Sequence, residues 1–386
     1  MNDTPWAPLP LPAGIRSRQV DNGNGLSVHL LEAGFETQGR PCVLLLHGFP
    51  ELAYSWRHVM LPLAEAGYHV VAPDQRGYGR TTGWQQGYDA GLDEFRLLNL
   101  VRDALGLLAV LGHASVAAVV GHDFGSPVAA WCALVRPDVF RSVVLMSAPF
   151  PGPPALPVVG APSFADFTKQ LLEGLAALQP PRQHYQWYYA TREAEGHMRH
   201  APQGLHAFLR AYYHHKSADW PRNQPFRLAA MSAAELAKLP TYYVMRADRT
   251  MAETVAAEMP TPAQIAACRW LPDDELAVYA AEYARTGFQG GLQWYRCGTG
   301  GRYIAEMQTW SGRTIDVPAC FIAGRSDWGV YQRPGDFEAM QAGACTRFLG
   351  AHWVEEAGHW VQQERPAEVS RLLLEFLSAA APVIPR

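Results

Sequence analysis

The sequence predicts an α/β protein in which one mostly parallel sheet, flanked by helices, is interrupted by an inserted, mainly helical cap. Three features lead there. Short β-branched runs alternate with helical stretches as far as about residue 150. The alternation breaks at SAPFPGPPALPVVG, where prolines and glycines cluster as they do when a chain leaves a sheet. It returns only near residue 317, after a long tract rich in Tyr, Trp, His, Ala and Gln. The expected division is a core built from 1–150 and 314–386, with the cap at 151–313.

Taken in chain order, an early strand is expected at 28–32. CVLLL (42–46), YHVVA (68–72), VAAVV (116–120) and VVLM (143–146) read as buried strands, because each is short, nearly continuous and ended by Gly, Pro or Ser. Helices are expected between them at 55–66, 95–111 and 127–136, the last with a proline in its first turn and a stop before Pro137. Such alternation favours parallel neighbours. Within the cap, helical patches cover 205–213 and 273–285. Beyond it, VPACFIA (317–323) restores a buried strand, 344–349 a weaker one, and 366–377 an amphipathic helix.

A net charge of -4 over 386 residues, with no dense Lys/Arg stripe, argues against nucleic acid as a partner. The six cysteines, at 42, 132, 268, 297, 320 and 345, lie far apart in apolar surroundings and suit reduced core thiols rather than metal knuckles or disulfides. The start, MNDTPWAPLPLPAG, has neither a basic leader region nor an apolar core, and is expected to be a strap or a disordered end. No apolar run is long enough to cross a membrane. A soluble cytoplasmic protein, monomeric or homodimeric and without cofactor or metal, is therefore expected.

Asp123 stands in VVGHDFG, between an apolar run and a helical stretch. The small residues Gly121 and Gly125 suit an abrupt strand-to-helix turn that thrusts the central side chain out at the carboxyl end of the sheet, beside free helix N–H groups. A carboxylate attacking a tetrahedral carbon from there would form an alkyl ester of the protein, so the substrate would carry an alkyl centre with a built-in leaving group. Taken alone, Asp123 also fits a helix cap or an Asx-turn. Two distant segments argue for chemistry instead. FIAGRSDWG places Asp327 just past a strand, and EEAGHWVQ places His359 in a glycine-preceded loop before the last helix. With Asp327 fixing its tautomer, His359 could deprotonate water through the other ring nitrogen. His352, directly after the weak terminal strand, is read as structural.

HGFP (47–50) follows the CVLLL strand. Gly48 allows a tight backbone path, Pro50 restrains it, and the Phe49 N–H can turn toward the nucleophile, forming with the Phe124 N–H a two-donor oxyanion hole. The plain alternative is an ordinary strand-ending turn. DQRGYGR (74–80) is read as a structural turn at the rim.

Spaced over nearly the whole chain, HGFP, DQRGYGR, GHDFG, TGFQGGLQWYR (286–296), GRSDWG (324–329) and GHW (358–360) resemble the α/β-hydrolase superfamily and, within it, the epoxide hydrolases. The resemblance implies Asp123 as nucleophile, Asp327 as acid partner and His359 as base. It also implies two cap tyrosines that polarise the epoxide oxygen, Tyr295 in QWYR and Tyr185 in HYQWYY, where Tyr188 and Tyr189 compete for the role. A neutral phenol suits the task because it can donate a hydrogen bond and then a proton to the developing alkoxide. Haloalkane dehalogenases carry a tryptophan directly after the aspartate, and here Phe124 offers no side-chain N–H. Fluoroacetate-type dehalogenases carry an arginine there, which is also missing. Trp84, Trp187, Trp328 and Trp360 keep halide release in view as the rival activity, and a non-catalytic ligand binder is the rival of another class. The expected partners are water and a small apolar epoxide, aryl or alkyl, in a pocket lined by Trp187, Trp328 and Trp360.

Overall fold

A computed structural model describes residues 6–381. Six strands precede the cap: β1 (Ile15–Asp21), β2 (Ser27–Ala33), β3 (Cys42–Leu46), β4 (His69–Pro73), β5 (Val116–His122) and β6 (Val143–Met146). A short antiparallel pair, β7 (Arg182–His184) and β8 (Val244–Arg246), lies within the cap, and β9 (Ala319–Gly324) and β10 (Phe348–Val354) follow it. The main sheet has eight strands in the order β1-β2-β4-β3-β5-β6-β9-β10. β2 runs antiparallel to β1 and β4, and every other pair is parallel.

The buried strands follow from two-sided burial. Along β3, Cys42, Leu44 and Leu46 face one apolar cluster while Val43 and Leu45 face the other, so the continuous CVLLL run serves both faces at once. Each such side chain contributes about 1.5–3 kcal/mol by leaving water. Helices Leu97–Val110 and Gly125–Val135 cover the first face, and Arg57–Glu65 and Pro366–Ala380 pack together on the second.

Several boundaries differ from expectation for physical reasons. β1 has no apolar run because it is an exposed edge, and its Arg16 and Arg18 both reach Glu32 at 2.8 Å. Such charges discourage edge-to-edge pairing. The expected helix 55–66 divides into a tight turn, Ala53–Trp56, and a helix, Arg57–Glu65. The helix expected at 127–136 starts two residues earlier, at Gly125, and ends at Val135. The last strand runs over Phe348–Val354 rather than 344–349, because a wide helical turn, Met340–Ala344, occupies the preceding segment.

The site's location comes from the strand order. β3 has β4 on one side and β5 on the other, and the carboxyl ends of β3 and β5 lie together, with Leu46 opposite Gly121. The crevice beyond a reversal of this kind is where open α/β sheets place their ligands. The DQRGYGR turn braces it: Asp74 accepts the N–H groups of Ala53 (2.8 Å) and Arg80 (2.9 Å) and pairs with His29 (2.7 Å). Of the proline-rich start, residues 1–5 lie outside the described residues. The remainder straps the surface, its Ala7 and Pro10 carbonyls accepting from Arg80 (2.8 Å) and Tyr54 (3.3 Å).

Between β6 and β9 the chain is mainly helical, and aromatic side chains stitch it onto the crevice. Tyr213 donates to the Pro50 carbonyl (2.9 Å), Tyr283 to that of Glu51 (3.2 Å) and Trp294 to that of Arg76 (2.9 Å). Arg80 pairs with Glu282 at 2.8 Å. At Gly77 and Gly290 the two backbones almost touch, and a Cβ on Gly290 would lie 2.0 Å from the Gly77 carbonyl oxygen. Gly290→Ala should therefore lower stability by about 1–3 kcal/mol, read by urea unfolding with an unchanged slope. A neutral result would show that this contact is not tight in solution.

Candidate active site

β5 passes into helix Gly125–Val135 through two residues, Asp123 and Phe124, and φ at Asp123 is 51°. Such a backbone is uncommon for a side chain other than glycine's and is held by its surroundings. A Cβ on Gly121 would fall 2.1 Å from the Gly125 carbonyl oxygen, and one on Gly125 would fall 2.3 Å from that of Leu46. The turn therefore closes only with glycines there. The helix is capped at Phe124 and receives no side-chain cap, so Asp123 is not serving as a capping carboxylate. Its Oδ1 instead accepts the Phe49 N–H at 3.0 Å. Phe49 sits in the HGFP turn, where the Phe49–Pro50 bond is cis. The Phe124 N–H lies at the opening of the helix directly after Asp123.

Asp327 lies three residues beyond β9, and its Oδ1 accepts from the Gly329 N–H (2.7 Å) and meets His359 Nδ1 at 3.0 Å. This pairing assigns the ring proton to Nδ1 and leaves Nε2 as the free base. Nε2 stands 3.2 Å from Asp123 Oδ2, yet it is off the line of a hydrogen bond and has no aligned partner. Burial pushes both aspartates up, but His359 beside them outweighs it and holds each below the usual carboxylate range, Lys216 adding to the effect at Asp123. Both are therefore anionic at neutral pH.

The loop carrying His359 is gripped along its backbone. Its N–H donates to the Lys216 carbonyl (2.9 Å) and its carbonyl accepts from His122 Nε2 (2.7 Å). Glu364 accepts the N–H groups of Gly358 (2.9 Å), Trp360 (3.0 Å) and the cap's Ala218 (2.8 Å). His122 pairs in turn with buried Glu51 at 2.6 Å, which also takes the Gly48 N–H (3.1 Å) and the Gln362 amide (2.8 Å).

From the cap, the Tyr295 ring meets Phe49 (5.4 Å), Phe124 (5.1 Å) and Tyr185 (5.9 Å) edge-on, so it lies over both residues flanking the carboxylate. The Tyr185 hydroxyl donates to Gln332 (3.2 Å) and accepts from Gln186 (3.2 Å). Tyr188 turns away to His197 (3.0 Å), and Tyr189 pairs with Tyr212 (3.1 Å). Burial, with Asp123 among the further causes, holds the Tyr185 and Tyr295 phenols well above their usual range, so both remain proton donors.

The tryptophans are more dispersed. Trp360 is fully buried behind His359, 4.7 Å ring to ring, with its indole N–H on the Tyr213 carbonyl (2.8 Å), so it backs the His359 ring rather than forming an open pocket wall. Trp328 packs on Phe226 (4.9 Å) and Trp187 on His184 (5.0 Å). His352 lies in β10 opposite Ile322, outside the cluster. Four residues not singled out from the sequence join the site: Lys216, Glu364, Glu51 and His122. Only His122 carried a signal, its place beside Asp123.

Among the described residues the one group with metal-ligand character is Cys42, His69 and His113, at the amino ends of β3 and β4 and away from Asp123. Its atoms are already engaged: His69 bridges His113 (2.8 Å) and Glu32 (3.2 Å), and burial, chiefly, keeps the Cys42 thiol protonated. All six cysteines are free.

A family model described as the alpha/beta hydrolase fold matches residues 41–182. Among curated proteins, epoxide hydrolase A of Mycobacterium tuberculosis is 34% identical over 369 residues, 95% of this chain and 98% of its own. Epoxide hydrolase B of the same organism is 34% identical over 370 residues, 94% and 99% of the two chains. Among solved structures, an epoxide hydrolase from an endophytic Streptomyces is similar with a TM-score of 0.74 at 31% identity, covering 95% of this chain and 96% of that one. Epoxide hydrolase A from Mycobacterium thermoresistibile gives 0.72 at 31% identity, covering 95% and 99%.

The buried carboxylates make stability depend on pH in two directions. Asp123 and Asp327 are depressed on folding, so their contribution is complete above the unfolded value near ~4 and is lost as pH falls below it. Glu364 is pushed up to about 8 by burial against three N–H groups. Its contribution is complete below its unfolded value near ~4.3 and is lost as pH rises through about 8. Calorimetric Tm should fall on both sides of mildly acid pH, and Glu364→Gln should flatten the alkaline side alone.

Proposed function

The chain belongs to the epoxide hydrolase family of the α/β hydrolases, and we propose that it converts small apolar epoxides and water to vicinal diols through an ester formed on Asp123. One observation carries the assignment of roles: His359 stands between two carboxylates, hydrogen-bonded to Asp327 through Nδ1 and facing Asp123 through an unengaged Nε2.

In the proposed cycle each group has its own task. The Phe49 N–H occupies Oδ1 of Asp123, so the opposite oxygen, Oδ2, is the one that attacks a ring carbon. As that bond forms, the carbon–oxygen bond of the ring breaks and the alkoxide takes a proton from Tyr295, with Tyr185 as second donor. The Gln186–Tyr185–Gln332 chain fixes the orientation of the second hydroxyl. His359 then removes a proton from water, which attacks the carboxyl carbon of the ester. Negative charge develops on Oδ1, where the Phe49 N–H already points and the Phe124 N–H completes the pair. Collapse expels the diol, with its proton returned by His359, and the proton left on the Asp123 carboxyl restores the Tyr295 phenol, so both return to their starting states.

Halide release is the weaker fit. Phe124 has no side-chain N–H, and the indole donors of Trp84 and Trp360 are taken by the carbonyls of Thr81 (2.9 Å) and Tyr213 (2.8 Å). Aromatic walls around Tyr295 support an apolar substrate.

Single turnover in heavy-oxygen water should place label in the Asp123 peptide, since water attacks the carboxyl carbon; label confined to the diol would rule out the ester. His359→Gln should accumulate the ester, whereas His352→Gln should keep near-normal turnover. Tyr295→Phe should slow ring opening by about a hundredfold, with a smaller loss, roughly tenfold, for Tyr185→Phe. Rapid-quench measurement of ester formation checks both, and equal losses would argue for symmetric donors.

A further inference from the structure

We propose that Lys216 is a positioning residue for the ester-hydrolysis step: its ammonium, caged without a counter-ion between the cap and the loop of the base, keeps His359 unprotonated once Asp123 has been esterified. The inference rests on Asp123 as the nucleophile and His359 as the base.

Lys216 is the last residue of helix Leu205–Lys216 and is only 3% exposed. Four rings surround its Nζ, with centroids at 5.1 Å (Tyr243), 5.3 Å (Trp360), 5.5 Å (Tyr212) and 5.8 Å (Tyr242). Among the described residues no carboxylate lies within ion-pair distance of it and no acceptor takes a hydrogen bond from it. A buried lysine left this way is costly unless the local field favours it. The aromatic faces supply part of that field.

The remaining groups around it define the charge balance. The Tyr212, Tyr242 and Tyr243 phenols are held protonated by burial, and the neighbouring His215 is pushed down to about 3 by burial and so is neutral. Glu364, on the far side of the base loop, is pushed up to about 8. Glu51 is already paired with His122. Burial draws the Lys216 ammonium below its usual range, and Asp123, Asp327 and Glu51 counter that pull in part.

Its backbone fixes the relation to the base. The Lys216 carbonyl accepts the His359 N–H, and a Cβ on Gly358 would lie 2.5 Å from the Ala218 nitrogen, so the two segments meet without slack. In the free enzyme two carboxylates flank His359, and the Lys216 ammonium lies over the ring of the next residue, Trp360. Esterification removes the charge of Asp123 and leaves Asp327 with Lys216. Protonating His359 at that stage would place a second cation in a buried pocket that holds a single unmatched anion. The ammonium therefore opposes imidazolium formation during the interval in which the imidazole must accept a proton from water. Without it, Asp327 alone would favour the imidazolium.

Lys216→Met keeps an apolar stem in the cage and removes the charge, while Lys216→Arg keeps the charge. Ester formation and breakdown should be followed separately by rapid quench with styrene oxide across pH, alongside Tm. In Lys216→Met the acid limb of ester breakdown should move up by about one pH unit, slowing that step roughly tenfold below the limb, and Lys216→Arg should restore it. An unmoved limb in Lys216→Met overturns the lysine's role, as does an Arg variant whose limb follows Met. If the methionine variant is too unstable to assay, Lys216→Gln is read in the same way. Failure of the unsubstituted enzyme to esterify Asp123 would overturn the underlying assignment instead.

Discussion

Two carboxylates buried on either side of one imidazole are the constraint on which the rest of the molecule depends. Each aspartate would be neutral in an apolar interior, and the pair would repel if left alone. The structure keeps both ionised by interposing His359, by aiming the N–H groups of Phe49 and Gly329 at their oxygens, and by bringing Lys216 near. Those donors come from four chain segments, so the sheet order, the cap and the terminal loop must all be in place before the charges can coexist. Function and fold are coupled here through solvation rather than through packing alone.

The cap accordingly does more than exclude water. Its tyrosines Tyr185 and Tyr295 stay protonated because they are buried above an anion, and that same protonation is what the proposed donation to a ring oxygen requires. The mirror-image arrangement holds below the sheet ends, where Glu51 and His122 pair completely out of water and hold the HGFP turn and the backbone of the base. Most polar groups in dry surroundings have a partner, and Nε2 of His359 is among the few buried atoms that have none.

Legibility in the sequence followed locality. Asp123, Asp327 and His359 could be found because each sits just past a strand or before a helix, with small residues whose reason for being there is short-range: Gly121 and Gly125 make one turn. The buried strands declared themselves through continuous apolar runs. β1 did not, since an exposed edge carries no such run, and β10 was misplaced because a turn at Met340–Ala344 displaces it. Lys216 and Glu364 were silent because their surroundings are assembled from chain segments more than a hundred residues apart, in pairs such as 216 with 359 and 218 with 364. A lysine in YYHHKSADW looks like any helix-end cation until the fold shows what encloses it.

The Glu364 clamp has a mechanical side. One carboxyl group holds both neighbours of His359 and, at the same time, Ala218 of the cap. Core and cap thus meet at the His359 loop through this clamp as well as through the His359 N–H on Lys216 and the Trp360 indole on Tyr213. With His359 as the proposed acceptor of the water proton, the seating of the cap is built into its aim: the contacts that hold the cover also hold the backbone that carries the imidazole.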